Sequence, residues 1–567
     1  MNIIETKDLT FCYPGAEEPV LKNITVGIEK GDFLAIVGNN GCGKSTFCKM
    51  LNGLIPQFIS GDFEGSVTSC GLDTQTTDVG VLAGKVGYVY QDFENQIICP
   101  TVLRDASYAC LNYAMPDYLE RGMRALEMCG LSSKKDEFIW QLSGGQTHLL
   151  ALAGVLSLEP EVLILDEPIA QLDPGHADLI YSVLKDLNER HGKTIIVIEH
   201  HTEYIADFCK HVMLMKDGGI KWMLPAREAL QRVDELRESN IFPPQVTIAA
   251  HRMKKEGTLD KKAPLPTTVE EGKDVFAARS VSPRAIRRSV EHRGETVVSF
   301  KDVSVSYRSV KGDPHVVFDG LNLDIRRGDK VALIGSNGAG KSTMMKMLVG
   351  LIKPASGKID INGVNIKNIK NDALSGQISM VYQNPEDMFI KDSIYGDISY
   401  AMKVRGLAQT ESRTEELLRR FRLYGLKDRD GRLLSGGQMR RASLAIGVAL
   451  DPGILLLDEP TANLDIATRK EIMRTLEDMK DITETVVIAT HDMQLVCEWA
   501  ERIIVLCGGR VESDGSRDEI FGDAAVLKKV GIRPPEIFTM GKCLDDGALC
   551  YTIDEFLNCF EGRSFAE

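Results

Sequence analysis

The chain has 567 residues, which is more than one hydrophobic core normally serves and predicts about three to five structural units. Hydrophobic residues make up 43% and charged residues 26%, and these proportions exclude a collagen-like, low-complexity or largely disordered protein. The formal net charge of −14 argues against binding nucleic acid through bulk electrostatics, so no nucleic-acid partner is expected.

Neither the first residues nor the cysteines point to export. The opening sequence, MNIIETKDLTF, lacks the basic and apolar regions of a secretory signal. No stretch approaches the roughly 18 consecutive apolar residues of a membrane span. The 13 cysteines form no C-x-x-C pair, which argues against a disulfide scaffold, a zinc ribbon or an iron–sulfur domain. We therefore expect a cytosolic protein that does not cross a bilayer by itself.

The first motif along the chain is GNNGCGKST, which follows the strand-like run Leu34 to Val37. Such a glycine-rich turn points backbone N–H groups inward, and the helix after it adds positive potential. Lys44 is then expected to reach the β- and γ-phosphates of a nucleotide, and Ser45 to bind Mg²⁺. The predicted phosphate-binding residues are Gly38, Asn39, Asn40, Gly41, Cys42, Gly43, Lys44, Ser45 and Thr46.

Polar groups follow two later strand-like runs of the first half. In VLILDE, Asp166 can support Mg²⁺, and Glu167 can polarise the water that attacks the γ-phosphate. His200 follows the run IIVIE. An isolated Asp-Glu pair is often only a helix cap, and a lone histidine at a strand end is usually structural. Their position downstream of a phosphate loop favours catalysis. The alternation of short apolar strands with helices predicts an α/β fold with a parallel sheet.

The first half ends in IFPPQV and a basic segment. Between Arg252 and Arg293 the Lys and Arg residues outnumber Asp and Glu by five, and three prolines interrupt the segment. The simplest interpretation is a solvated linker that follows a small extension. The alternative is a contact with anionic lipid headgroups.

The same motifs then recur in the same order as GSNGAGKST, LSGGQ, ILLLDEP and IRPPEI. This duplication predicts two tandem domains, 1–240 and 295–530, each with a small C-terminal extension, 241–294 (including the linker) and 531–567. The counterparts of the catalytic and metal-binding candidates are Asp458, Glu459 and His491. The counterparts in the loop are Gly335, Ser336, Asn337, Gly338, Ala339, Gly340, Lys341, Ser342 (also for Mg²⁺) and Thr343.

The LSGGQ segments, Leu142 to Gln146 and Leu434 to Gln438, resemble the signature of the ATP-binding-cassette superfamily. The resemblance covers nearly the whole chain and implies a RecA-like core with a helical signature subdomain in each half, with ATP and Mg²⁺ as cofactors. It also implies that two cassettes pack head to tail, so that each ATP lies between one P-loop and the other half's signature. The implied signature contacts are Ser143, Gly144, Gly145, Gln146, Ser435, Gly436, Gly437 and Gln438.

Further roles follow from the same resemblance. Tyr13 and Tyr307 match the aromatic residue that stacks on adenine, and Gln91 and Gln383 match the glutamine that touches Mg²⁺ and senses the γ-phosphate. His200 and His491 match the switch histidine. The loop that crosses the dimer interface matches Leu172-Asp173 and Leu464-Asp465.

Some positions differ between the halves. Thr147-His148 follows the first signature where Met439-Arg440-Arg441 follows the second, His201 stands where Asp492 does, and Cys42 corresponds to Ala339. We expect two hydrolytic sites with unequal affinities or rates.

The segments VYQDFENQIICPTV and VYQNPEDMFIKDSI look like the glutamine loops of energy-coupling-factor transporter ATPases, and PPQVTIAAHRM and PPEIF resemble that group's C-terminal extension. The first half departs from the pattern at Asp92-Phe93, and the second at Met388. The resemblance implies an ATPase at the cytoplasmic face of the cell membrane. It would drive a transmembrane coupling protein and a separate substrate-binding membrane protein for a vitamin or a transition-metal ion. The apolar residues after each glutamine are expected to form two docking grooves: Ile97, Ile98, Met388, Phe389 and Ile390.

The alternative is a soluble tandem-cassette ATPase that acts on ribosomes. Those proteins have a long, highly charged helical linker, and one subtype begins with a cysteine-rich iron–sulfur domain. Neither feature is evident in this sequence. A DNA-repair cassette ATPase would need a long coiled-coil insertion, and the interval between Thr46 and Leu142 is too short for one.

Overall fold

The computed structural model describes residues 1–169, 172–277, 294–307, 315–462, 464, 466–479, 481–545 and 548–560. The chain divides into two compact units. Unit 1 is Met1–Val281 with Phe556–Glu567, and unit 2 is Ser282–Glu555. Asp465 and residues 278–293 of the basic linker lie outside the described residues. Within the described ranges, no helix is long and apolar enough to span a membrane.

Unit 1 contains two sheets. A four-stranded antiparallel sheet has the order β2-β1-β4-β5, and a six-stranded sheet has the order β10-β9-β3-β8-β7-β6. In the larger sheet every neighbouring pair is parallel except β10 with β9. The strands are β1 Asn2–Cys12, β2 Leu21–Glu29, β3 Phe33–Val37, β4 Asp62–Ser69, β5 Leu72–Asp73, β6 Val86–Val89, β7 Val162–Asp166, β8 Thr194–Ile198, β9 His211–Lys216 and β10 Gly219–Pro225.

The helices of unit 1 connect these strands and end in a small extension. They are α1 Lys44–Leu51, α2 Leu54–Gln57, α3 Val79–Ala83, α4 Val102–Asn112, α5 Tyr118–Met128, α6 Gly144–Leu156, α7 Pro174–Glu189, α8 Thr202–Phe208, α9 Ala226–Gln231, α10 Val233–Glu238, α11 Gln245–Lys255 and α12 Val269–Phe276. Helices α4, α5 and α6 pack on one another, and we call them the helical subdomain of unit 1.

Unit 2 repeats this arrangement, with sheet orders β12-β11-β14-β15 and β16-β17-β18-β13-β19-β20. Its strands are β11 Thr296–Tyr307, β12 His315–Arg326, β13 Lys330–Ile334, β14 Ser356–Ile361, β15 Val364–Asn365, β16 Ile378–Val381, β17 Ile454–Asp458, β18 Thr485–Ala489, β19 Arg502–Cys507 and β20 Arg510–Gly515. Its helices are α13 Lys341–Leu348, α14 Asn371–Leu374, α15 Ile394–Val404, α16 Thr410–Arg420, α17 Gly436–Gly447, α18 Ile466–Asp478, α19 Met493–Trp499, α20 Arg517–Gly522, α21 Ala524–Val530, α22 Glu536–Leu544 and α23 Ile553–Asn558, whose end falls in unit 1. The helical subdomain of unit 2 is α15, α16 and α17.

The central strands of the large sheet of unit 1, β3, β7 and β8, are buried at every position and almost entirely apolar, so this part of the sheet is covered on both faces. In β3, Phe33, Ala35 and Val37 belong to one hydrophobic cluster, whereas Leu34 and Ile36 belong to another. This alternation is the period of two that a strand imposes on its side chains. The expected α/β fold with a parallel sheet is therefore confirmed in both units. The motif residues at the ends of these strands all emerge at the same edge of the sheet.

Candidate nucleotide-binding and catalytic sites

The first P-loop joins β3 to α1, which begins at Lys44. Gly38 has φ 154°, and a Cβ there would lie 2.3 Å from the carbonyl oxygen of Met215, so only glycine fits this close approach of backbones. Lys44 is buried, and its Nζ donates to the carbonyl oxygens of Gly38 at 2.8 Å and Asn39 at 3.0 Å. The loop therefore holds an ammonium group at a helix N-terminus, which is the positive potential that a phosphate requires.

The second P-loop has the same construction between β13 and α13. Gly335 also has φ 154°, and a Cβ there would lie 2.3 Å from the carbonyl oxygen of Leu506. Lys341 Nζ donates to the carbonyl oxygens of Gly335 at 2.7 Å and Ser336 at 3.3 Å, and it lies 3.1 Å from His491 Nε2. The remaining predicted loop residues lie between the same strand and helix in each unit: Asn40, Gly41, Cys42 and Gly43, with Asn337, Gly338, Ala339 and Gly340.

Each P-loop serine contacts the aspartate that ends β7 in unit 1 or β17 in unit 2, two strands away from the P-loop strand in the sheet. Asp166 accepts hydrogen bonds from the Ser45 hydroxyl and from Tyr88 Oη at 3.2 Å. Asp458 accepts the corresponding bond from Ser342. Burial raises the pKa of both carboxyls, and the serine hydrogen bonds oppose that rise. A hydroxyl and a carboxylate beside a phosphate loop are oxygen ligands of the kind that Mg²⁺ takes. Among the described residues, no group of three or more His, Cys, Asp or Glu side chains could hold a metal ion unaided.

The glutamate after each of these strands has an unusual backbone. Glu167 has φ 51° and Glu459 has φ 45°, a left-handed conformation that non-glycine residues rarely adopt. The N–H of Glu167 donates to the carbonyl oxygen of Ile198 at 3.1 Å, and the N–H of Glu459 to that of Ala489 at 2.9 Å. These bonds hold each glutamate against the strand that leads to the predicted switch histidine. Backbone strain of this kind is concentrated at functional positions.

The side chain of Glu167 is held by two partners. Gln91 Nε2 donates to Glu167 Oε2 at 2.8 Å, and His200 Nε2 lies 3.3 Å from Oε1. Burial raises the pKa of Glu167, but the hydrogen bond from His200 and the charges of His200 and Lys44 outweigh burial, so the pKa lies below its ordinary value. The structure thus places Gln91 on the predicted base, whereas the resemblance predicts its contact with Mg²⁺.

Glu459 is held differently. Its Oε2 accepts from Thr490 Oγ1 at 3.0 Å and from the His491 N–H at 3.2 Å, and His491 Nε2 lies 3.5 Å from Oε1. Burial raises the pKa of Glu459 to about 7, and the charge of Lys341 opposes that rise. The two halves therefore differ at the predicted base itself.

The first switch histidine, His200, is held by residues that were not predicted from the sequence to be functional. Glu199 is almost fully buried, and its Oε1 accepts the N–H groups of His200 at 2.7 Å and His201 at 2.9 Å. Tyr181 Oη donates to Glu199 Oε2 at 2.8 Å. Glu199 therefore supplies the carboxylate that is missing at position 201. The signal in the sequence was the acidic residue just before His200.

In unit 2 the carboxylate comes after the histidine. Asp492 Oδ2 accepts from Thr461 Oγ1 at 2.9 Å and pairs with Arg469 Nε at 2.8 Å. The N–H of Asp492 donates to Thr490 Oγ1 at 3.0 Å. Both switch loops are thus held by a buried or half-buried acidic residue, which precedes the histidine in the sequence of unit 1 and follows it in unit 2.

The signature serine lies at the N-terminus of a long helix in each unit. Ser143 N–H donates to Gln146 Oε1 at 3.1 Å, and Gln146 N–H donates back to Ser143 Oγ at 3.3 Å. Ser435 N–H likewise donates to Gln438 Oε1 at 3.2 Å. This reciprocal capping leaves the N–H groups of the first helical turn at an anion-binding position. Gly144 and Gly436 begin α6 and α17, and a Cβ at either position would have no atom from another part of the described chain within 4 Å. Gly145 and Gly437 pack against the next helix, because a Cβ there would lie 2.4 Å from His176 or Thr468.

The two signature helices hold the glutamine loops by different means. In unit 2, the buried Arg440 donates to the carbonyl oxygens of Tyr382 at 3.1 Å and Gln383 at 2.8 Å. In unit 1, His148 occupies this position and stacks on Phe93 with 4.3 Å between ring centroids. Burial lowers the pKa of His148 to about 4, so the ring is neutral at pH 7.

The predicted adenine-stacking tyrosines lie over their P-loops. Tyr13 Oη is 3.0 Å from Thr46 Oγ1, and the Tyr13 ring meets Phe11 edge to face. Tyr307 Oη is 3.2 Å from Thr343 Oγ1, and this tyrosine is exposed.

The structure corrects one part of the predicted docking grooves. Ile98 and Ile390 are exposed, at 63% and 60% of their surface. Phe389, in contrast, is 6% exposed and belongs to the core of unit 2 because its ring packs directly on Gly431. Phe389 is therefore not a docking residue. Ile97 and Met388 are half-buried.

This geometry defines a class of protein. Each unit carries a P-loop lysine at a strand-to-helix junction, with a serine–aspartate pair, a glutamate and a histidine at neighbouring strand ends. That combination of residues is typical of P-loop ATPases.

Comparison with known proteins gives the family. The ABC transporter family matches residues 21–170 and 318–462, one region in each unit. A Caldanaerobacter subterraneus subsp. tengcongensis protein, named as an ABC transporter ATP-binding protein, is 30% identical over 98% of this chain and 98% of its own length. A Bacillus subtilis protein, whose name assigns it to HMP/thiamine import, is 30% identical over 95% of this chain and 96% of its own length. The solved structure of cbiO1 from Clostridium perfringens, described as part of the ABC transporter complex cbiONQ, has 32% identity and a TM-score of 0.37, and covers 43% of this chain and 97% of that one. The chain belongs to the ABC transporter family and is a tandem-cassette ATPase.

Proposed function

We propose that this ATPase is the energy-coupling subunit of an importer of the energy-coupling-factor type, at the cytoplasmic face of the cell membrane. It would act with a transmembrane coupling protein and a separate substrate-binding membrane protein for a vitamin or a transition-metal ion. The observation that carries the proposal is an exposed isoleucine, Ile98 or Ile390, on the loop after each glutamine. The name of the Bacillus subtilis relative makes HMP and thiamine the first substrates to test.

In this proposal each catalytic unit has the same division of roles. Lys44 and Lys341 hold the β- and γ-phosphates, Glu167 and Glu459 activate the attacking water, and the switch histidines orient the glutamates. The contacts of both glutamates with their histidines support these roles. Bound Mg²⁺ would neutralise phosphate charge, and Ser45 with Asp166, or Ser342 with Asp458, would hold it. Gln91 and Gln383 would join them as ligands once nucleotide is bound.

We also propose that the two ATP sites are composite. The signature N–H groups of one unit would complete the phosphate site of the other, so that Lys44 faces Ser435 and Lys341 faces Ser143. The support for this pairing is chemical. The backbone N–H groups at a helix N-terminus donate hydrogen bonds to anions, and α6 and α17 both begin directly after their signature serine.

The surface around Ile98 supports a membrane partner. Trp140 is 61% exposed, and its ring stacks on Phe138 at 4.5 Å. The neighbouring Ile139 N–H donates to the carbonyl oxygen of Pro100 at 3.1 Å, which joins this aromatic pair to the loop that carries Ile98. Exposed apolar side chains on adjoining segments are typical of a protein–protein contact.

The test is membrane association of the full chain. Tagged chain is purified from its own cells in mild detergent, and the co-purifying membrane proteins are identified. The double variant Ile98→Asp/Ile390→Asp should lose these partners and substrate uptake, while ATP hydrolysis in solution persists. Val316→Asp/Val364→Asp is the matched control, because both valines are also exposed. Unchanged membrane association of the isoleucine variant would contradict the docking assignment. Sedimentation of the native chain with ribosomes would instead favour the soluble alternative.

A further inference from the structure

In each unit a buried carboxylate accepts hydrogen bonds from the backbone of the loop that carries the exposed isoleucine. We define the docking loops as residues 97–100 and 389–392. Asp105 Oδ1 accepts the N–H groups of Ile98 and Cys99, both at 2.8 Å. Asp397 Oδ1 accepts those of Ile390 and Lys391, again both at 2.8 Å. The same arrangement of one carboxylate oxygen and two backbone N–H groups thus occurs in both units.

Neither carboxylate is serving its own helix. Asp105 lies in the first turn of α4 and Asp397 in the first turn of α15, but both reach outside the helix to the loop. The N-terminus of α15 has its own cap, because Ser393 Oγ accepts the Gly396 N–H at 3.1 Å. An ordinary capping role therefore does not explain the aspartates.

Burying these two carboxylates costs free energy, which their hydrogen bonds with the loop must offset. Asp105 is 7% exposed and Asp397 is 3% exposed, and within the described part of the chain Asp397 Oδ2 has no hydrogen-bond partner. Burial raises the pKa of both carboxyls, and the two loop N–H groups oppose the rise. A buried acid in this state is stabilised mainly by the loop that it holds.

At the ends of β6 and β16, where the two glutamine loops begin, the contacts differ between the units. In unit 1, Gln96 accepts the Tyr90 N–H at 2.8 Å and donates to the carbonyl oxygen of Tyr88 at 3.0 Å. In unit 2, Met388 stands at the position of Gln96, and Arg440 holds the strand end instead. The contacts at the strand end have therefore changed between the halves, whereas the contact of the aspartate with the docking loop has not.

We propose that Asp105 and Asp397 are positioning residues that fix each docking loop to its own helical subdomain. The exposed isoleucine then moves as one body with the signature helix, and the loop is ordered before a partner binds. This inference rests on the proposed docking function and names the residues that preorganise it.

Two double variants of the full chain test it. Asp105→Ala/Asp397→Ala removes the acceptors, whereas Asp105→Asn/Asp397→Asn keeps a carbonyl oxygen at each position. In the alanine variant we expect hydrogen exchange of the docking-loop amides to rise at least about tenfold, with the interiors of α4 and α15 unchanged. Retention on native membranes should fall by about tenfold, and ATP hydrolysis in solution should stay within about twofold of wild type. The asparagine variant should recover at least half of the membrane retention.

The outcomes separate this inference from the docking assignment. If the docking-loop amides stay protected in the alanine variant, the inference is wrong. If Ile98→Asp/Ile390→Asp detaches the chain but the alanine variant binds membranes like wild type, the inference fails and the docking assignment stands. If the isoleucine variant also stays bound, both fail. A general loss of fold would increase hydrogen exchange throughout α4 and α15. In that case the single variants Asp105→Ala and Asp397→Ala replace the double variant, and the hydrogen exchange of the docking-loop amides is measured in the unit that carries the substitution.

Discussion

Acid should destabilise unit 1 through one histidine. His148 is 1% exposed on α6, with its ring stacked on Phe93, and in the described part of the chain neither ring nitrogen has a hydrogen-bond partner. Burial lowers its pKa from 6.5 to about 4. Between these two values the unfolded chain binds the proton and the folded chain does not, so protonation favours unfolding. The contribution of His148 to stability is therefore complete above about pH 6.5 and is lost as the pH falls towards 4.

The size of this effect follows from the shift. One pKa unit corresponds to about 1.4 kcal/mol, so the total loss is about 3 kcal/mol, of which about 2 kcal/mol is already lost at pH 5. The assay is urea unfolding followed by the fluorescence of Trp222, in a background carrying Trp140→Phe and Trp499→Phe. We compare this protein with the same protein carrying His148→Phe, which keeps an aromatic ring against Phe93 but cannot be protonated. Other titrating groups cancel in the comparison. A difference in unfolding free energy that is the same at pH 5 and pH 7.5 would refute the reasoning.

Three further predictions concern the ATP sites. The double variant Glu167→Gln/Glu459→Gln should bind ATP nearly as well as wild type but turn it over roughly 10² to 10⁴ times more slowly, because the positioned base is lost; steady-state hydrolysis with parallel nucleotide binding measures this, and undiminished turnover would contradict the catalytic assignment. Lys44→Ala or Lys341→Ala should weaken nucleotide binding itself by roughly 10- to 100-fold, because a charge-assisted contact is lost. Titration with a fluorescent ATP analogue measures the affinity, and an unchanged affinity would contradict the prediction. In the Glu459→Gln background, where hydrolysis depends on the site of Lys44, Ser435→Arg should abolish hydrolysis but leave initial docking of ATP intact; continued hydrolysis would exclude the composite arrangement.

The strand-end positions of the catalytic candidates could be predicted from the sequence. The P-loops, Asp166, Glu167 and His200 each follow a short apolar run, and parallel strands deliver their ends to one edge of a sheet. Because those runs are apolar at every position, they could be recognised as buried strands without knowing their neighbours. The repeat then fixed the equivalent residues of unit 2.

Side-chain direction in the loops could not be predicted in the same way. Phe389 and Ile390 are both apolar and adjacent, but one faces the core and the other is exposed. The choice depends on a short 3₁₀ turn at Pro385–Met388 and on the bare backbone of Gly431, which is distant in sequence. The role of Asp105 was hidden for a similar reason, because its partners are backbone N–H groups and leave no pattern of side chains.

The support of the switch histidines limits how the two cassettes can be recombined. The acid precedes the histidine in unit 1 at Glu199 and follows it in unit 2 at Asp492. A chimera that received only the triplet Thr490 to Asp492 in place of residues 199–201 would take away the acceptor of the Tyr181 hydroxyl. It would also bring an aspartate without its arginine, because Ala177 stands at the position of Arg469. A functional graft would have to carry the preceding helix together with the strand end, so the exchangeable part is a packed pair of elements and not a motif.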